Sequence, residues 1–201
     1  GEKSLSIVSS FFSKDLAKTS SHTLHFGSFK NNHGEILDEV LISVFHEGKS
    51  FTGEQSAEIS CHGSSYILQA VMETLVQGGC RIAEPGEFTK RAFLNGKIDL
   101  IQSEAIASLI ESKTNKSAQI HSNTLDGVLS KTLINTLNKL ISILADIEHA
   151  IDISEDEITD RFYRNCKDKI GEVHQDFKDI LSTYNIGKLL NDGIRVVITG
   201  K

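Results

Sequence analysis

Proline is all but missing from this chain. Pro85 is the only one in 201 residues. From Leu100 to about Ile151 there is none, and Gly127 is the single glycine, so nothing there interrupts a helix. Long apolar runs are missing too. None approaches the roughly 20 residues that span a bilayer, so no membrane partner is expected. The first ten residues lack the apolar centre of a signal peptide. Cysteine is scarce: Cys61, Cys80 and Cys166 are far apart, odd in number and without metal-ligand spacing. A reduced, cytoplasmic setting is the expectation. Basic residues are outnumbered, 21 against 27 acids, for a formal net charge of -6. That excludes a surface that grips nucleic acid everywhere; a local basic patch stays invisible in one dimension. An initiator Met is missing, and the chain is expected to begin within a longer protein.

What is present divides into two halves. Apolar residues make up 39% and charged residues 24%, ordinary for a globular chain. In the first half, "SHTLHFGSF" (21–29) alternates Thr23, His25 and Gly27 against Leu24, Phe26 and Ser28. "EVLISVF" (39–45) is rich in strand formers, and "SAEISCHG" sets Ala57, Ile59 and Cys61 on one face. These read as strands. "SSYILQAVMETLVQGG" has helical spacing and stops at Gly78-Gly79, and "CRIA" (80–83) reads as one more short strand. In the second half Leu133, Leu137, Leu140, Ile141, Leu144 and Ile147 recur at threes and fours, one long amphipathic helix or two. Ser154 and Glu157 have capping-box spacing ahead of a further helix. That helix carries Ile170, Val173, Phe177 and Leu181 and is expected to fade near Gly187, with "LLNDG" a turn before a last strand, "RVVITG". The expectation is an α+β domain over residues 1–117, then an all-α helical region over 118–192, then the start of something else over 193–201.

Three stretches have residues suited to chemistry. "EGKSFTGEQ" (47–55) presents Ser50, Thr52 and Glu54. It is either a solvated hairpin loop or a mount for Glu54, whose two oxygens suit paired N–H donors on an amidine-like heterocycle edge. "CHGS" (61–64) sets His62 near Ser64, but nothing marks a third partner or an oxyanion hole. A tight strand-to-helix turn explains it better, with Gly63 in a difficult conformation and Ser64 or Ser65 as cap. "EPGEFTKRAFLNGKIDLIQSEAI" (84–106) is the densest. Pro85-Gly86 turns the chain, Gly96 closes a short helix, and Asp99 caps the next with Gln102 three residues on. Lys90, Arg91, Asn95 and Lys97 between them are either a solvated face or a polar wall, with Lys97 reaching an anionic ligand from a rigid turn. The eight histidines form no metal set. His22 and His25 point to opposite faces of a strand, and His121, His149 and His174 scatter over helices.

"SFTGE", the "CHG" turn and above all "PGEFTKRAFLNGKIDLIQSEAIASLI" closely resemble the MnmE/TrmE family of tRNA-modifying GTPases. Ser103 stands where the family usually has Ala. "AIDISEDEI" resembles an acidic segment of the same family. The terminal "VVITGK" resembles the strand that opens the family's G domain. A Walker A loop needs G-x-x-x-x-G-K-S, and Gly200 fills only its first position. Lys201 takes a variable one, so this stretch alone is not expected to hold GTP. Gly1 resembles the Gly of a family motif "R-I-S-G", so a ligand-contacting Arg is expected upstream.

The resemblance implies a first domain like those of folate-binding aminomethyltransferases, with a mixed sheet and helices. It implies dimerisation through that domain and binding of 5-formyl- or 5,10-methylene-tetrahydrofolate by the residues matching Glu54 and Lys97. Arg91 and Asn95 are candidate pocket-wall residues, Arg91 equally a structural pin. It implies a full-length protein that, with a flavoprotein (MnmG) that binds FAD, modifies carbon 5 of the wobble uridine of tRNA. GTP hydrolysis there would depend on Mg²⁺ and K⁺. Two rivals stay open: a folate-dependent aminomethyltransferase, and a non-catalytic dimerisation scaffold.

Overall fold

The computed structural model describes residues 1–152, 160–193 and 197–200. By its contacts the chain forms two compact units, Gly1–Ile98 and Asp99–Lys201. The division falls well before the boundary expected near residue 117. The reason is the helix over 100–111, which packs on the helix that follows it.

The first unit opens with α1 (Ser4–Phe11) and a 3-10 turn (Leu16–Lys18), followed by β1 (Thr23–Lys30), β2 (Ile36–Phe45) and β3 (Ser56–Ser60). Then come α2 (Ser65–Gln77) and α3 (Glu87–Leu94). The α+β class is as expected. Its sheet, however, is not mixed: the three strands run antiparallel in the order β1-β2-β3. "CRIA" is no fourth strand among the described residues, because the Arg81 side chain is drawn into an ion pair with Glu87 and the segment meets no strand edge. Helix α1 has no counterpart in the sequence reading.

Val40, Ile42 and Val44, two apart on β2, are buried with Phe29, Leu5, Val8, Phe12, Leu16 and Val71. That is the period-2 rule at work. On β1 the rule gives an unexpected result. Thr23, His25 and Gly27 pair with Val44, Ile42 and Val40 and so share the core side. The apolar Leu24 and Phe26 face outward with Leu41 and are 60%, 55% and 40% exposed. Gly27 is needed there: a Cβ would stand 2.3 Å from Ser13 Oγ and 2.8 Å from the Phe12 ring.

The second unit is helical: α4 (Leu100–Glu111), α5 (Asn115–Leu125), α6 (Val128–Asp152) and α7 (Asp160–Asp192). Asp99 caps α4 as expected, in a full capping box with Gln102. Gln102 Nε2 also donates to the Leu125 carbonyl, tying α4 to the end of α5. Lys139–Asp176 at 2.7 Å and Lys169–Asp146 at 2.6 Å link α6 to α7. As one partner number rises the other falls, so the two helices are antiparallel. Thr136, Ile143 and Ala150 on α6 and Cys166 and Val173 on α7 are buried, seven apart on each helix. The apolar set of the sequence reading is not the buried stripe: Leu137, Ile141 and Leu144 are more than half exposed. α7 runs on past Gly187 and through "LLND", which is therefore helix, not turn; Gly193 follows in the left-handed region (φ 73°). The proposed Ser154–Glu157 capping box lies outside the described residues, as do 194–196 and Lys201 of the last stretch. Residues 197–200 pair with no other strand among the described residues. No helix among the described residues is long and apolar enough to cross a membrane.

Candidate functional site

The loop between β2 and β3 is not a solvated hairpin. Ser50 and Thr52 turn inward and are buried. Ser50 Oγ donates to the Glu54 carbonyl at 2.5 Å, and the Glu54 N–H to Thr52 Oγ1 at 3.3 Å. Gly48 N–H closes the loop on the Gly53 carbonyl at 2.7 Å. Both glycines have positive φ, 75° and 80°, which other residues adopt only at a cost. The braces leave the Glu54 side chain projecting, about a quarter exposed.

α3 supplies the facing wall. Pro85-Gly86 starts it, with Gly86 at φ 76°. At its end the Gly96 N–H bonds to the Phe93 carbonyl and the Lys97 N–H to that of Ala92, both within 3.0 Å. That pair is a Schellman closure, with Gly96 in the left-handed position. It fixes the direction in which Asn95 and Lys97 leave the helix. Asn95 Nδ2 donates to the Thr52 carbonyl (2.7 Å) and Lys97 Nζ to the Gly48 carbonyl (2.9 Å). Both grip the Glu54 loop.

Arg91 reaches the same loop. Its Nη1 donates to both oxygens of Glu54, at 2.9 and 3.2 Å. Its Nε and Nη2 donate to Glu87 Oε1, at 2.9 and 2.7 Å. Glu87 also takes two bonds from Arg81 and one from the Glu84 N–H. The hydrogen bonds from Arg91 hold the Glu54 carboxyl below the usual carboxylate range. Those from Arg81, with Glu84 N–H and Arg91, hold Glu87 far below it. Glu54 and Glu87 in turn raise the Arg91 guanidinium. Gly1 N lies 3.8 Å from Glu54 Oε2.

Glu54 borders three cavities. One of about 590 Å³ is lined by Glu54, Arg91, Glu87, Phe88, Cys80 and Ile7, among others. A smaller one of about 400 Å³ joins Glu54 to Gly48, Gly53, Asn95 and Lys97. Both volumes fall in the range of small-molecule sites. Of the residues singled out by sequence, Glu54, Arg91, Asn95 and Lys97 thus come together. Lys90 lines the third cavity, of about 490 Å³, with Glu54, Arg91 and Asn95. The sequence reading missed Glu87 and Arg81. The signal for Glu87 was present: it lies four residues before Arg91 on a short helix, the spacing of a helical ion pair.

His62 is not set up as a base for Ser64. Its Nδ1 lies 2.8 Å from Asp38 Oδ1, and its N–H donates to Asp38 Oδ2 at 2.8 Å. The pairing pins the turn to β2 and holds the Asp38 carboxyl below its ordinary value, chiefly through the backbone N–H. Gly63 takes no left-handed conformation, and Ser64 occupies the cap position of α2 without a side-chain bond. Ser64 is thus the cap residue as expected, whereas Gly63 lacks the expected difficult conformation. The bend is achieved by the Asp38 anchor instead.

Residues 1–97 match the family model described as GTP-binding protein TrmE N-terminus, and residues 100–195 the MnmE helical domain. A protein from Acetivibrio thermocellus called tRNA modification GTPase MnmE is 41% identical over 204 residues, covering all of this chain and 44% of that protein. Its namesake from Carboxydothermus hydrogenoformans is 44% identical over 190 residues, covering 94% of this chain and 41% of its own length. One from Bdellovibrio bacteriovorus is 41% identical over 201 residues, all of this chain and 42% of that protein. The chain thus spans less than half the length of these relatives. Two adjoining domain matches that cover nearly every residue, with relatives of this identity along the same span, show that the chain belongs to the MnmE/TrmE family.

Proposed function

We propose that this chain is the folate-binding, dimerising portion of a tRNA modification GTPase, followed by the first part of its helical domain. The full-length protein would hydrolyse GTP with Mg²⁺ and K⁺ on a G domain that begins near residue 193. With an FAD-containing MnmG-type partner it would add an aminomethyl or carboxymethylaminomethyl group to carbon 5 of the wobble uridine, in the cytoplasm. This part would supply 5-formyl- or 5,10-methylene-tetrahydrofolate as the one-carbon source.

The observation that carries the folate reading is the state of Glu54. It is an ionised carboxylate on the walls of three cavities, and Arg91 uses only one of its nitrogens on it. A carboxylate accepts about four hydrogen bonds, so Glu54 retains capacity for the amino-pyrimidine edge of a pterin. Lys97, on the smaller cavity, offers a cation for a carbonyl or carboxylate. The outward apolar face of the sheet (Leu24, Phe26, Leu41, with Ile36 at 62% exposure) supports dimerisation, as such patches mark interaction surfaces.

Calorimetric titration of 5-formyltetrahydrofolate into the full-length protein tests the reading. Glu54→Ala and Lys97→Ala are each expected to weaken binding ten-fold or more, about 1.4 kcal/mol. Binding indifferent to both would remove the ligand from this site.

A further inference from the structure

The two acidic residues that Arg91 joins are in opposite states. Glu87 is saturated. Its Oε1 accepts from Arg81 Nη2 at 2.6 Å and from Nη2 and Nε of Arg91 at 2.7 and 2.9 Å. Its Oε2 accepts from Arg81 Nη1 and the Glu84 N–H, both at 2.8 Å. Five donors exceed the roughly four acceptor directions of a carboxylate, and its side chain is only 12% exposed. Glu87 has nothing left for a ligand. Glu54 meets a single side-chain nitrogen, Arg91 Nη1.

The guanidinium is therefore divided: one edge, Nε and Nη2, lies on Glu87, and the remaining nitrogen lies on Glu54. A guanidinium is rigid and planar, so fixing one edge fixes where the third nitrogen points. Without Glu87, an Arg side chain 37% exposed has solvent and many rotamers open to it. Arg81 sits outside this pair, 64% exposed, and fixes Glu87 from the far side.

We infer that Glu87 is a positioning residue: it orients Arg91 so that Nη1 rests on Glu54, with Arg81 holding Glu87 in turn. The chain Arg81–Glu87–Arg91–Glu54 presets the acceptor that meets the ligand. The inference rests on the reading of Glu54 as the ligand's carboxylate, and it applies to a different residue from those that touch the ligand.

The test uses two readouts on the full-length protein. The first needs no ligand: carbodiimide-driven amine labelling of Glu54 near pH 5, read by peptide mass spectrometry. Glu87→Gln is expected to raise that labelling five-fold or more, because a released Arg91 no longer shields the carboxylate. The second is the affinity for 5-formyltetrahydrofolate, expected to fall about five-fold in Glu87→Gln. In an Arg91→Gln background, adding Glu87→Gln is expected to change either readout by less than two-fold. A merely structural Glu87 would not lose its effect there. Labelling unchanged by Glu87→Gln, or an effect that persists without Arg91, overturns the inference. A labelling response in a protein whose unmutated form binds no folate leaves the relay standing and sinks the folate reading. If Glu87→Gln does not fold, Arg81→Gln replaces it, with a smaller change of the same sign expected in both readouts and no change overturning the inference.

Discussion

Gly53→Ala tests how tightly the Glu54 loop and the end of α3 are fitted together. Gly53 has φ 80°, and a Cβ there would stand 3.1 Å from Lys97 Cγ and 3.4 Å from Lys97 Cδ and Asn95 Cβ. Two costs follow. The left-handed backbone costs an alanine roughly 1 kcal/mol. The 3.1 Å contact must be relieved, and the exposed Lys97 side chain is the part free to move. Its movement breaks the 2.9 Å bond to the Gly48 carbonyl, worth about 1 kcal/mol net. The sum is about 2 kcal/mol, and for a domain of this size that lowers Tm on the order of 10 °C. Gly34→Ala is the control. Gly34 has nearly the same φ, 82°, with nothing within 4 Å of its added Cβ. It should lose only the backbone share, about 1 kcal/mol. The assay is thermal unfolding of both variants, with titration of 5-formyltetrahydrofolate alongside. Gly53→Ala should be the less stable of the two and should also bind less tightly, since it displaces Lys97. Equal stability of the two variants, with unchanged affinity in Gly53→Ala, would refute the fitted-wall argument.

Two further outcomes follow from the same contacts. Asp99→Ala removes the capping box of α4, in which Asp99 Oδ1 accepts the Gln102 N–H at 2.8 Å. It should lower the stability of the helical unit by about 1 kcal/mol, and Asp99→Asn, which still caps, should lose much less, as chemical denaturation will read. The carboxyls of Glu54, Glu87 and Asp38 all titrate below their ordinary values in the folded chain. Protons then bind the unfolded state more readily. The stabilisation is complete above the ordinary carboxylate range, about pH 4 to 4.5, and is lost as pH falls through the depressed folded values. Urea midpoints should be flat from pH 7 to 5 and drop below about pH 4.5. Arg91→Gln should shrink that drop, and an unchanged pH profile in that variant would contradict the role given to Arg91.

Much of the fold was legible because each element carried its own local signal. β2 follows the period-2 pattern of Val40, Ile42 and Val44; α2 stops at Gly78; α4 starts at a capping box. The failures have physical causes as local as the successes. α1 was missed because half of its eight residues are serines and no side-chain cap marks its start. Its real signal is Leu5, Val8 and Phe12 at helical spacing, all buried, too short a run to stand out alone. On β1 the alternation was read correctly, but its apolar set is the one that faces outward. Gly27 explains why: the Phe12 ring fills the space a side chain would occupy, so part of the core on that face is supplied from outside the strand. In the helical unit the apolar period of α6 predicted a helix and mispredicted which face α7 covers.

The site shows the same limit from the other side. Its residues were visible as types at suggestive spacings, yet the question left open at Arg91, wall residue or structural pin, has no answer in one dimension. Glu54 and Arg91 are 37 positions apart, and Asn95 and Thr52 43. Folding joins them, and it also dissolves the alternative. Arg91 is a pin through Nε and Nη2, which lie on Glu87, and a wall through Nη1, which lies on Glu54 beside the cavity. One planar cation does both because its donors diverge. Lysine, with three donors on one freely rotating nitrogen, could touch both carboxylates but could not fix one contact by holding the other. The same division appears at the end of α3, where the Schellman closure uses the backbone of Gly96 and Lys97 to end the helix and frees the Asn95 and Lys97 side chains to hold the loop. In both places the groups that build the wall also anchor it. Substitutions there are therefore expected to move stability and ligand affinity together, and only backgrounds such as Arg91→Gln separate the two.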